Sequence, residues 1–196
     1  MKCTLLDTRM ASITRAHQAR FARIDGEDFS PVMRWIRDER RMEGAEVTLG
    51  YLEHGAMALK QYYAIMVLDP LNAHAAGPYI TQFWHVHQES KRYRIFCEEI
   101  FGQLIDHTEI DSQNTDMVHV VRDMYRYTRD LLPRVFHRQY VDPNFWPQSI
   151  AHEARITCYQ SMSDEVPEIL QHDRLFEPRA RCSRGPGFRP AVQVKR

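Results

Sequence analysis

The sequence predicts an all-α protein, with a compact helical domain of about five to seven helices and a poorly ordered C-terminal tail. Apolar residues recur at helical spacing over 45–68 and again over 116–132. Residues that start helices precede several segments, and residues that end helices follow them. No segment rich in β-branched and aromatic residues competes with these helices.

The composition indicates a sizeable core and no overall charge. The chain has 196 residues, of which 43% are hydrophobic, with 26 basic and 26 acidic side chains. This neutrality argues against a dedicated nucleic-acid binder. No apolar stretch approaches the roughly 20 residues that span a bilayer, and the first residues lack the apolar run of a signal peptide. We therefore expect a cytoplasmic protein that does not contact a membrane.

The cysteines are expected to be reduced thiols. They are far apart in sequence and form no CxxC pair: Cys3, Cys97, Cys158 and Cys182. A core of this size does not need disulfide bonds, and scattered cysteines are typical of a cytosolic protein.

Two helices are predicted in the first 68 residues. Residues 1–28 are polar with scattered apolar positions and are assigned to an N-terminal extension. Ser30-Pro31 starts a helix at about 31–41, because serine caps helices and proline fits the first turn. The strongest helix covers about 45–68 and ends at Asp69-Pro70, because the residue before a proline disfavours helical geometry.

A broken helix is predicted from Pro78 onwards. Its first apolar face ends at His87 and its second starts at Tyr93. At 100° per residue the centres of these faces differ by more than about 90°, so one straight helix would not bury both. We place the break at Gln88-Glu89-Ser90, with the serine capping a new helix from Lys91.

The remaining segments complete the predicted organisation. A helix over about 116–132 is expected to be capped by Thr115 or Asp116 and interrupted by Pro133. The aromatic segment 141–147 is expected to fold back onto the core, and 149–161 and 164–171 could form two short helices. The sequence therefore divides into four parts: an N-terminal extension at 1–28, a helical core domain at 29–147, C-terminal helices packed on it at 148–176, and a basic tail at 177–196.

Three histidines near the break are candidate metal ligands: His85, His87 and His107. Three imidazoles with water describe a catalytic zinc site, and two with a carboxylate describe a non-haem iron site. Asp106 or Glu89 would supply the carboxylate. On a continuous helix His85 and His87 point about 200° apart, but the break after His87 keeps a shared ion possible. We therefore expect a divalent metal or a small ligand here, with metal-dependent catalysis as one use.

The alternative function is a protein or peptide interaction module in which the histidines are structural. His87 lies on the apolar face beside Phe83 and Trp84, where a buried imidazole can bond to a carbonyl or carboxylate and fix the turn. Cys97, inside an apolar stripe, is then an inert small hydrophobe. An aromatic groove or the C-terminal segment would bind the partner, and nucleic acid is not expected.

The segment from Phe83 to His107 resembles a known family motif. It contains Phe83-Trp84-His85-Val86-His87, then Tyr93, Cys97, Phe101-Gly102 and His107. This is similar to the motif of the glycine-rich-domain-containing-protein-like family: F-W-H-x-H, a Tyr six residues on, a Cys four further, then F-G and a His. The resemblance covers about residues 28–147 and is to small bacterial members without the glycine-rich tract. It implies an α-helical domain and no known reaction.

Overall fold

Seven α-helices dominate the residues that the computed structural model describes, which confirms the all-α prediction. The structure describes residues 4–9, 11–110, 113–148, 158–160, 167, 170 and 174–176. The helices are α1 Leu5–Thr8, α2 Arg15–Gly26, α3 Ser30–Met42, α4 Leu49–Leu68, α5 Pro78–Gln88, α6 Tyr93–Phe101 and α7 Thr115–Val135, with a 3₁₀ turn at Arg138–Tyr140. The strands are β1 His74–Ala75, β2 Thr108–Glu109 and β3 Cys158–Gln160. The predicted tail at 177–196 lies outside the described residues.

The central element is α4, which packs against α1, α2, α3, α5 and α7. The Thr48 side chain accepts a hydrogen bond from the Tyr51 backbone N–H, so a threonine cap starts the helix. Asp69 ends it, as predicted from Asp69-Pro70. From Tyr62 to Leu68 every residue is buried, as expected for a helix that is apolar on all sides.

The N-terminal residues contribute to the core through α1 and α2. Leu5, Phe21 and Ile24 are each fully buried. Threonine caps start both helices, since Thr4 accepts from the Asp7 N–H and Thr14 accepts from the His17 N–H. Few apolar residues mark these two helices in the sequence, which is why residues 1–28 are predicted to be an extension. The two threonine caps are the sequence signal that could have revealed the helices.

The predicted break separates α5 from α6. The first helix ends at Gln88 and the second begins at Tyr93. The prediction that Ser90 caps the second helix is wrong: Arg92 occupies the cap position, and Ser90 contributes its carbonyl, which accepts from the Tyr93 N–H at 3.1 Å. Gly102 then ends α6 in a left-handed conformation with φ of 77°, a geometry that glycine adopts without strain.

A small antiparallel sheet joins distant parts of the chain in the order β1-β3-β2. His74 pairs with Gln160, and Thr108 pairs with Tyr159. The prediction that 158–160 are helical is wrong. The rest of the helix predicted at 149–161, and most of the one predicted at 164–171, lies outside the described residues. Strands of two or three residues are too short to show a periodic pattern in sequence.

The last described helix, α7, is longer than predicted. The prediction that Thr115 or Asp116 caps it is wrong, because Asn114 is the cap and accepts from the Met117 N–H. The helix continues past Pro133 to Val135. Pro133 thus falls in the last turn, and the prediction that it interrupts the helix is wrong. Phe145 and Trp146 beyond it are 1% and 2% exposed, so the aromatic segment folds onto the core as predicted. Within the described residues, no helix has the length and apolar character needed to cross a membrane.

Candidate functional site

His87 is a buried histidine that links three elements. Its side chain is 1% exposed and extends from α5 towards α4, where its Nδ1 lies 2.9 Å from the Tyr63 hydroxyl. Its Nε2 lies 3.7 Å from the Glu27 Oε1, just beyond the end of α2. Because a proton on Nε2 faces the carboxylate favourably, the neutral ring carries it there, and Tyr63 donates to Nδ1.

Burial controls the charge of this group. It lowers the pKa of His87 to about 4, so the imidazole is neutral at pH 7. Burial also raises the pKa of Glu27, which the nearby Arg92 guanidinium opposes. Tyr63 is fully buried, and burial raises its pKa far above the usual value. The order hydroxyl, imidazole, carboxylate matches a nucleophile and its base, but the Tyr63 hydroxyl is buried, out of reach of a substrate.

A second buried network holds the loop after α6 against the break. The Trp84 indole N–H donates to the Tyr93 hydroxyl at 3.0 Å, and that hydroxyl donates to the Ile105 carbonyl at 2.7 Å. Cys97 is fully buried beside this network, and burial raises the pKa of its thiol to about 11. Such a thiol is a poor nucleophile at neutral pH. These motif residues therefore form a packing unit.

The other two motif histidines form a pair near the surface. The ring centroids of His85 and His107 are 4.3 Å apart, and both side chains are half-buried. The Trp84 ring packs against His107 at 5.7 Å. Asp106 is exposed, and its Oδ1 accepts from the His107 backbone N–H at 2.8 Å and lies 3.5 Å from the His107 Nδ1. The loop after α6 thus brings one of the predicted carboxylates beside this pair.

The structure therefore divides the predicted metal-ligand set. His85 and His87 both belong to the continuous helix α5, since the break comes one residue later, and they point to different sides. His85 packs against His107, which in turn lies beside Asp106, whereas His87 lies beside Tyr63 and Glu27. Across the described parts of the chain, no three histidine, cysteine, aspartate or glutamate side chains are grouped so that they could hold a metal ion.

An exposed face of α3, which the sequence analysis did not single out, combines apolar and cationic side chains. We define the α3 surface as Arg34, Trp35, Arg41 and Met42. Trp35 is 44% exposed and Met42 is 84% exposed. Arg34 and Arg41 are exposed and form no ion pair with the described residues, whereas Arg37 pairs with Asp38 and Arg40 pairs with Glu43. Trp35 and Met42 are two turns apart and therefore point to the same side of the helix. This seven-residue spacing is the sequence signal that could have identified the surface.

An open groove lies between the end of α3 and the start of α4. Its volume is about 390 Å³, and its lining residues are Arg40, Ala45, Glu46, Val47, Thr48 and Tyr51. Its two charged side chains have opposite sign, and Arg40 already contacts Glu43 and Gln82. The groove therefore gives no clear indication of the charge of a ligand.

Comparisons of the chain with protein-family models, with curated proteins and with solved structures find no match.

Proposed function

We propose that this protein is an interaction module that binds a protein or peptide partner through the α3 surface. The observation that carries this proposal is the exposure of Trp35 and Met42 on one side of α3, beside two arginines that form no ion pair with any residue the structure describes. Tryptophan and arginine are the residues most enriched at the energetic centres of protein interfaces, and methionine is also enriched there. Burying the indole and the thioether against a partner removes apolar surface from water.

The environment of His87 supports the same proposal. Its Nδ1 is bonded to Tyr63, and its Nε2 faces Glu27 inside the core. A histidine engaged in this way serves the fold, which is what the alternative function requires. The motif then acts as a scaffold that holds α5 and α6, and binding occurs on a different element.

Site-specific photo-crosslinking in the native host tests this function. A photoreactive amino acid at position 35 should capture a discrete protein, and the same residue at position 95 should not. Ile95 is a suitable control because it is 50% exposed on α6. Met42→Asp in the same chain should abolish the product at position 35, whereas Ile95→Asp should leave it unchanged. Equal products at both positions, no product, or a product insensitive to Met42→Asp would each overturn the proposal.

A second candidate function is binding of a divalent cation, such as zinc or iron, by His85 and His107. The 4.3 Å separation of the two ring centroids favours it, because two imidazoles at this distance can reach one ion. Asp106 is the neighbouring carboxylate, and the other coordination positions would be filled by water or by a ligand. A metal-assisted reaction would follow only if such an ion keeps an open position.

We also propose that the chain is a member of the glycine-rich-domain-containing-protein-like family, as its motif suggests. Membership of the family is supported by the neighbouring contacts of four motif residues: Trp84, Tyr93, Cys97 and His107. Residues that pack as one unit must be retained together for that unit to form. A cytoplasmic location stays part of the proposal. The buried free thiol of Cys97 supports it, since reduced cysteines are typical of that compartment.

A further inference from the structure

We infer that the partner of the α3 surface is an acidic amphipathic helix, an inference that rests on the function proposed above. The surface consists of two parallel pairs, Trp35 with Met42 and Arg34 with Arg41. Members of each pair are seven residues apart, which is two helical turns or about 10.5 Å along the axis. A partner helix repeats its side chains over the same distance, whereas an extended strand covers it in about three residues.

The charge of α3 selects an acidic partner. Between residues 34 and 41 the helix carries four arginines against Asp38 and Glu39. Arg37 is paired with Asp38, so the cationic character that remains on the outer face comes from Arg34 and Arg41. Carboxylates on the partner would meet these two guanidinium groups, while leucine-like residues would cover Trp35 and Met42. The exposed indole and thioether beside the arginines favour a protein partner over nucleic acid, as does the neutrality of the whole chain.

The position of α3 is fixed before binding. Val32 and Ile36 bury its inner face, and Gln82 of α5 connects two of its side chains. The Gln82 amide nitrogen donates to Glu39 at 2.9 Å, and the Gln82 amide oxygen accepts from Arg40 at 3.3 Å. A surface held in this way loses little conformational freedom when a partner docks, and this favours affinity.

Trp35 provides an internal probe of binding. The chain contains three tryptophans, of which Trp84 and Trp146 are 0% and 2% exposed. Acrylamide therefore reaches Trp35 preferentially. A peptide that covers the α3 surface should shift the emission to shorter wavelength and protect the fluorescence from acrylamide, because the indole leaves water.

The experiment titrates the full chain with three synthetic helical peptides of one length. The first has leucines two turns apart, flanked by glutamates; the second has lysines in place of the glutamates; the third is a scramble of the first. The acidic peptide should bind and should produce both fluorescence changes, the shift to shorter wavelength and the protection from acrylamide, which we call the Trp35 signature. Its binding should weaken as salt is raised. The lysine peptide and the scramble should not bind.

A charge reversal identifies the residues. The double variant Arg34→Glu with Arg41→Glu should weaken binding of the acidic peptide roughly tenfold or more. It should allow the lysine peptide to bind instead. Lys91→Glu with Arg94→Glu is the matched control, because it changes the net charge equally at two exposed positions, one just before α6 and one within it. Failure of the acidic peptide, equal binding of the lysine peptide, or equal effects of both double variants would overturn the inference.

The two proposals fail separately. If photo-crosslinking at position 35 still captures a protein while the acidic helix does not bind, the interaction function stands and the partner class is wrong. If single-stranded RNA produces the Trp35 signature and the acidic peptide does not, the surface binds nucleic acid and the inference is also wrong. Loss of the crosslink as well would remove the proposed function itself.

Discussion

The hydroxyl of Tyr63 lies 2.9 Å from the Nδ1 of His87 in the interior of the protein. Only a neutral imidazole accepts this hydrogen bond, and burial lowers the pKa of His87 from its ordinary value of 6.5 to about 4. Between these two values the unfolded chain binds a proton at this residue that the folded chain does not bind. The free energy of unfolding should therefore be highest above about pH 6.5 and should fall by up to about 3 kcal/mol towards pH 4.

Urea unfolding of the wild-type protein and of His87→Asn at about pH 7, 5.5 and 4.5 measures this effect. The asparagine carbonyl can still accept from Tyr63 and does not titrate. The stability advantage of the wild type over the variant should thus shrink as the pH falls. Glu27 acts in the opposite direction, because its raised pKa favours the folded state at low pH, but it is present in both chains. A difference that stays constant with pH would contradict this assignment.

Removal of the Tyr93 hydroxyl should destabilise the protein without changing its shape. In Tyr93→Phe the buried Trp84 N–H loses its acceptor and the Ile105 carbonyl loses its donor. Each unsatisfied group costs about 1–3 kcal/mol, so a loss of about 2–4 kcal/mol is expected in urea unfolding. The control is Tyr140→Phe at a half-buried position of the 3₁₀ turn, where a change within about 0.5 kcal/mol is expected. Equal effects of the two substitutions would rule out the network as a source of stability.

A close approach between α4 and α5 depends on Gly55. A Cβ added at this residue would lie 2.3 Å from the Cζ of Phe83, and 2.6 and 2.8 Å from the Cε2 and Cε1 of the same ring. Gly55→Ala should therefore destabilise the protein by about 1–3 kcal/mol, despite the higher helix propensity of alanine. Thermal unfolding of Gly55→Ala with Phe83→Leu should recover part of the loss, because the smaller side chain makes room for the methyl group.

Gly50 provides the matched control for this substitution in the same helix. A Cβ there would have only the Thr48 Oγ1 nearby, at 3.8 Å. Gly50→Ala should leave stability unchanged or raise it by up to about 1 kcal/mol, since alanine favours the helix. If both alanine variants destabilise the protein equally, then the Phe83 contact is not what requires a glycine at position 55.

The sequence predicted the helices that have a strong local signal. The apolar spacing of α4 and the change of apolar face between His87 and Tyr93 both determine structure within about two turns of chain, and both predictions are confirmed. The strand at 158–160 depends on pairing with His74 and Thr108, which are roughly fifty or more residues away. Such non-local pairing leaves no periodic signal in a three-residue segment.

The positions of the three motif histidines could be predicted only where they depend on local helix geometry. Helix geometry already indicated that His85 and His87 diverge unless the chain breaks between them, and the break comes after both. The approach of His107 to His85 depends on how the loop after Gly102 returns across α5, which local patterns do not encode. The partners of His87 lie just beyond the end of α2 and on α4, so its role could not be assigned before the tertiary contacts were known.

Zinc titration of tag-free protein separates the two proposed functions of the histidines. If His85 and His107 bind the cation, then His85→Ala and His107→Ala should each weaken binding roughly tenfold or more in isothermal titration calorimetry, since each removes one of two imidazole ligands. His87→Asn should leave the affinity unchanged, because that ring faces Tyr63 and Glu27. His119→Ala, at an exposed position of α7, is the control. Loss of binding only in His87→Asn, or equal losses in all four variants, would remove the His85–His107 pair as a cation site.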